Sequence, residues 1–77
     1  MIIKIDLEFP AGLKEKPIIC TLCKKFSIIL NIIEASFSTD IGWAALLLEG
    51  SEEDLQETID YLKDTGVEIK DIQKLEL

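Results

Sequence analysis

The chain has 77 residues, 48% of them hydrophobic, with eight lysines, fifteen acids, no arginine and no histidine, for a net charge of −7. So short a chain reads as one domain, residues 1–77, with a modest core that self-association would help to hold. Its acidity repels a phosphate backbone and argues against nucleic acid as a partner, while the missing histidine removes the usual neutral-pH proton carrier and the commonest metal ligand, so the reading is non-enzymatic with no cofactor.

Ile2 to Phe9 alternate, with Ile3, Ile5, Leu7 and Phe9 on one side and Lys4, Asp6 and Glu8 on the other, the period of a half-buried strand. Pro10, Gly12 and Lys14-Glu15-Lys16 end it. Pro17 suits the first turn of a helix that runs to about Phe26 on a stripe of Ile19, Leu22, Cys23 and Phe26, with Lys24 and Lys25 against its negative end. Ser27 to Phe37 and Gly42 to Glu49 read as a hairpin around the turn residues Ser38-Thr39-Asp40.

Ser51 caps a second helix whose first turn holds Glu52, Glu53 and Asp54, whose buried stripe is Leu55, Ile59 and Leu62, and which Gly66 ends. Val67 to Ile72 alternates as a last strand. The order βαββαβ predicts a ferredoxin-like α+β fold: a four-stranded antiparallel sheet in the order 4-1-3-2, with both helices on one face. No run reaches the roughly 18 apolar residues of a membrane span, and the N-terminus reads as a strand instead of a leader, so the expectation is a cytoplasmic protein with no membrane insertion.

The sheet face opposite the helices should be polar, and on the first and last strands Lys4, Asp6, Glu8, Glu68 and Lys70 keep it so. The hairpin does not. If Ile28, Leu30 and Ile32 face the helices, strict alternation turns Ile29, Asn31, Ile33, Ala35 and Phe37 outward, with Trp43, Ala45 and Leu47 beside them. An apolar patch of that size marks a binding surface, and a homodimer that covers it through Ile29, Phe37 and Leu47 is the natural expectation. Burying about 500 Å² per subunit would contribute on the order of 12 kcal/mol before association entropy is subtracted.

Asn31 is the polar interruption of that row. Its amide has two donors and two acceptor lone pairs, which water, a symmetry mate or a small zwitterion could each satisfy, and spacing does not separate the three. Cys20-Thr-Leu-Cys23 has CxxC spacing, but no further cysteine or histidine exists to complete a tetrahedral site. The pair is read as reduced structural thiols, with intersubunit metal or redox chemistry as the other reading. The whole excess of acid lies in residues 49–77, which carry ten acids and three lysines. A solvated helix face accounts for it, and an acidic docking surface is the sharper alternative.

With this element order, the run from Pro17 through Asn31-Ile32-Ile33 resembles the NIL domain, a family named for an Asn-Ile-Leu triplet at this point of the second strand. Gly42, Gly50-Ser51, Tyr61-Leu62, Gly66-Val67 and Glu68 extend the resemblance over the whole chain. The family is best known as the C-terminal regulatory domain of the ATPase subunits of methionine ABC importers, where it pairs and binds methionine. The resemblance implies a stand-alone regulatory module that binds a small amino acid, L-methionine first, at or near a dimer interface through Asn31, Ile33 and Trp43. A ligand-free interaction subunit of a transporter or a sulfur-metabolism enzyme is the alternative. The turn between the second and third strands is shorter than in the transporter domains, Ile33 replaces a leucine, and Trp43 stands where smaller residues are common.

Overall fold

A computed structural model describes residues 1–13, 16–38 and 41–75. It contains β1 (Ile2–Phe9), α1 (Ile18–Lys25), β2 (Ile29–Phe37), β3 (Gly42–Glu49), α2 (Glu52–Thr65) and β4 (Glu68–Leu75). The strands form one sheet in the order β2-β3-β1-β4, every neighbouring pair antiparallel. This is the expected ferredoxin-like arrangement. The expected breaker Lys14-Glu15 and the turn residues Thr39-Asp40 lie outside the described residues.

The core lies between the helices and one sheet face. Ile3, Ile5, Leu7 and Phe9 of β1 and Ala44, Leu46 and Leu48 of β3 meet Ile18 and Leu22 of α1, Leu55 and Leu62 of α2, and Val67. These two central strands alternate as the sequence indicates, because both are flanked by strands and have one side to bury.

Both helix boundaries follow from local chemistry. Ser51 has extended backbone and its hydroxyl oxygen accepts from the Asp54 N–H at 3.0 Å, satisfying one of the orphan donors at the start of α2. Gly66 closes α2 with φ of 92°, a left-handed conformation that glycine adopts at little cost. Along α2, Leu55, Thr58 and Leu62 are buried and Ile59 is half-buried; the Thr58 hydroxyl donates back to the Asp54 carbonyl at 2.8 Å, which lets it sit in the core.

In α1 the buried stripe differs from expectation. Ile18 and Leu22 are buried, Ile19 and Phe26 are half-buried, and Cys23 is exposed. The buried stripe is centred on Ile18 and Leu22, one position earlier than expected, which turns Cys23, four residues after Ile19, to solvent; Phe26, at i+7, is the C-cap with φ −121° and ψ 149° and has left the helical path. Its ring reaches Tyr61 of α2 from there, at a centroid distance of 5.6 Å.

Strand β2 contains the larger surprise. Asn31 pairs with Leu47 and Ile32 with Leu46, but Glu34 pairs with Ala45, so Ile33 is one residue too many for the ladder. A bulge of this kind inverts the alternation beyond it. Ala35 and Phe37, expected on the open face, pair with Ala44 and Gly42 and belong to the helix side, where the Phe37 ring lies 5.5 Å from that of buried Phe9. The proposed interface residue Phe37 is therefore not on the open face. Glu34 and Ser36 take the places expected of Ile33's continuation.

Candidate functional site: the open sheet face

The register lays out the uncovered face as rows that run across the four strands. One row is Ile29, Glu49, Ile2 and Leu75; the next is Asn31, Leu47, Lys4 and Gln73; then Glu34, Ala45, Asp6 and Asp71; and last Ser36, Trp43, Glu8 and Glu68. Two halves result. The β2–β3 half is apolar around Asn31, with Ile29 60% exposed and Trp43 41%. Leu47 is half-buried, and Ala45, although on this face, is enclosed by larger neighbours.

The β1–β4 half is charged. Two like-charged pairs stand directly opposite one another, Asp6 with Asp71 and Glu8 with Glu68, a destabilising arrangement if left alone. A second bulge answers it. The β1–β4 register shifts beyond Asp6, leaving Lys70 unpaired, and its ammonium lies 3.2 Å from Glu68 and 3.5 Å from Glu8. The hydrogen bond from Lys70, with the nearby Glu8 carboxyl and the ammonium charge adding to it, holds Glu68 below the usual carboxylate range; Glu68 in turn raises Lys70 above the usual lysine value. Lys4 lies 4.0 Å from Asp6.

Between the halves runs a shallow groove of about 360 Å³, lined by Lys4, Asp6, Glu8, Glu34, Trp43, Ala45 and Lys70 among others. It offers ammonium groups, carboxylates and an indole within one depression. Trp43 is legible in the sequence as a residue of this face and Glu34 is not, because nothing in the local pattern announces the bulge that brings it to this side. Asn31 and Ile33 do not line the groove; Asn31 lies one row away, beside Leu47. Its side-chain amide makes no hydrogen bond to another described residue. Ile29, Asn31, Leu47 and Trp43 thus share one face as expected, and Phe37 does not.

Comparison with known proteins bears on this face. The family model of the NIL domain matches residues 4–71, from β1 into β4, and includes the whole hairpin. The chain belongs to the NIL domain family. This NIL domain is similar in fold to a crystal structure titled as the C-terminal domain of an ABC transporter/ATP-binding protein from Enterococcus faecalis, with a TM-score of 0.69 at 20% identity over 90% of this chain and 79% of that one. It is also similar to the de novo designed protein Foldit4, with a TM-score of 0.60 at 9% identity over 97% of each chain. No curated protein matches it. Both likenesses concern the fold, and the function of this NIL domain has to be argued from the side chains that decorate the frame. Its triplet Asn31-Ile32-Ile33 ends on the bulge itself.

The remaining chemistry is sparse. Among the described residues, no group of three or more His, Cys, Asp or Glu side chains could hold a metal ion, and no helix is long and apolar enough to cross a membrane. Cys20 and Cys23 are free and exposed on α1, away from the open face.

Proposed function

We propose that this NIL domain is a non-enzymatic regulatory module that pairs with a second copy through the β2–β3 half of its open face and binds a small amino acid, L-methionine first, at or near that interface. The observation that carries the reading is Asn31, a side-chain amide set beside Ile29 and Leu47 on an exposed apolar surface with no partner of its own among the described residues. Once a second copy or a ligand removes water there, its two donors and two acceptors demand polar partners, which the ammonium and carboxylate of an amino acid supply. A thioether side chain suits the surrounding surface of Ile33, Leu47 and Trp43, being apolar and polarisable. The family, together with the likeness to an ABC transporter domain, supports a role in controlling a transporter.

Pairing is supported by the state of β2. Of its nine residues, eight are exposed and the other is half-buried, and Ile29 shows a large apolar side chain on the open face beside an unpaired edge. Such an edge is a template for association unless something covers it. The neighbouring groove beside Trp43 offers Glu34 for the ligand's ammonium group, leaving its carboxylate to the Asn31 amide one row away.

A thermal-shift series with L-methionine, D-methionine and L-leucine tests the reading. L-methionine should raise the unfolding midpoint, with a stabilisation of about 2.7 kcal/mol at one hundred times the dissociation constant, and the rise should vanish in Asn31→Ala. Sedimentation of Trp43→Glu tests pairing separately. A monomer is expected. No midpoint rise at millimolar amino acid, with pairing intact, favours the ligand-free interaction subunit, for which the exposed acids Glu52, Glu53 and Glu57 of α2 would be the docking surface.

A further inference from the structure

The exposed thiols of α1 are unused by any of this. Cys20 and Cys23 are both free, both solvent-exposed and both inside the regular helix Ile18–Lys25, three residues apart, so they present their side chains on one flank of it. We propose that this pair is a binding site for a soft, two-coordinate cation of the Cu(I) class, held linearly between the two thiolates. The site is independent of the amino-acid reading and lies on the opposite layer of the molecule.

Geometry decides between a metal and a disulfide. Residues three apart on a helix hold their Cβ atoms about 5 to 6 Å from one another, whereas a relaxed disulfide needs about 3.5 to 4.5 Å. Oxidation would therefore have to distort a helix whose Leu22, between the two cysteines, is fully buried in the core. With the zinc–thiolate length of about 2.3 Å as a guide, a linear sulfur–metal–sulfur unit would span about 4.6 Å between sulfurs, a separation that rotation of the two side chains can reach from Cβ atoms at helical spacing. The helix is built for the longer bridge.

Ligand number then decides which metal. Zinc takes four protein ligands in a structural site, and among the described residues nothing adds a third candidate ligand to this pair. A cation that is satisfied by two thiolates needs none, and soft sulfur ligands select Cu(I). The complex carries one unit of net negative charge. Lys24, four residues beyond Cys20 on the same side of the helix, and the exposed Lys16 before it offset that charge in a chain that is otherwise strongly acidic. Lys25 is engaged elsewhere, its ammonium 4.9 Å above the Tyr61 ring.

The test is anaerobic titration of the reduced chain with Cu(I) against bicinchoninate as a competing chelator, with X-ray absorption on the loaded protein. One Cu(I) per chain with two sulfur neighbours is expected, and uptake should be lost in Cys20→Ser and in Cys23→Ser while Asn31→Ala retains it. Because both thiols are exposed, the serine variants should keep the parent's unfolding midpoint, so that loss of uptake reads as loss of ligand. Uptake that survives either serine substitution, no uptake against the chelator, or a cluster with three or more sulfur neighbours shared by two chains would each overturn the proposal.

Discussion

The ring of Phe37 lies over the α-carbon of Gly42, the residue directly across from it in the β2–β3 ladder, so closely that a Cβ built at position 42 would collide with the ring. The same ring packs against Phe9. Gly42→Ala must therefore displace the Phe37 ring, which is 49% exposed and can swing toward solvent, so the cost should be about 1 kcal/mol, the low end for overpacking. In a Phe37→Ala background the same substitution should cost far less. A double-mutant cycle in urea reads the coupling, and additive effects would mean that the two residues do not touch.

Deleting Ile33 should leave a folded protein. Every described β2–β3 pair on either side of the bulge is compatible with a continuous ladder once the extra residue is gone, and Phe37 keeps its place beside Phe9. The measurement is the ring-current shift between the two phenylalanines, retained with cooperative unfolding. If β2 instead alternated without interruption, the deletion would turn residues 34–37 over and the variant would lose that shift.

Lys70 links acid stability to the β4 bulge. Glu68 is held below the ordinary glutamate value by the Lys70 ammonium, so its contribution is present at neutral pH and is lost as pH falls through the folded-state value. Lys70, raised above the ordinary lysine value, contributes until pH rises through its own folded-state value. In Lys70→Met the Glu68 carboxyl should titrate at higher pH by NMR. Both groups are exposed, so the accompanying change in stability should be small. An unchanged Glu68 titration would show that the ammonium is not the cause.

At the start of α2, Ser51 holds two bonds to one residue, accepting from the Asp54 N–H and donating to its carboxylate, each at 3.0 Å. Ser51→Ala should cost about 1 kcal/mol, and Ser51→Gly a few tenths. Urea midpoints with an unchanged slope provide the check.

Element order, strand order and the caps Ser51 and Gly66 were readable in the sequence, because capping and alternation leave signals at single positions that compete with nothing distant. The bulges were not. A bulge adds one residue to one strand relative to its partner, and Ile33 is as apolar and β-branched as its neighbours, so only the partner strand reveals that it is surplus. Everything after it on β2 changed sides: Glu34 entered the groove and Phe37 left the open face. On α1 the neighbouring apolar residues Ile18 and Ile19 offer two candidate stripes, and the one through Ile18 and Leu22 is buried, which leaves Cys23 exposed while Phe26 packs on Tyr61 from extended backbone. Asn31, Leu47 and Trp43 kept their expected sides because Asn31 precedes the bulge and β3 has none in its pairing with β1.

The margins of the sheet are unequal. Along β4, Glu68, Lys70, Asp71 and Lys74 place charges of both signs at frequent intervals, while β2 carries Glu34 alone among its nine residues. Charged margins resist strand addition, and bare ones invite it. Were two copies of the chain to meet along β2, the guarded border of β4 would leave nowhere to add a third by strand pairing, and growth would stop at a closed couple instead of a fibre.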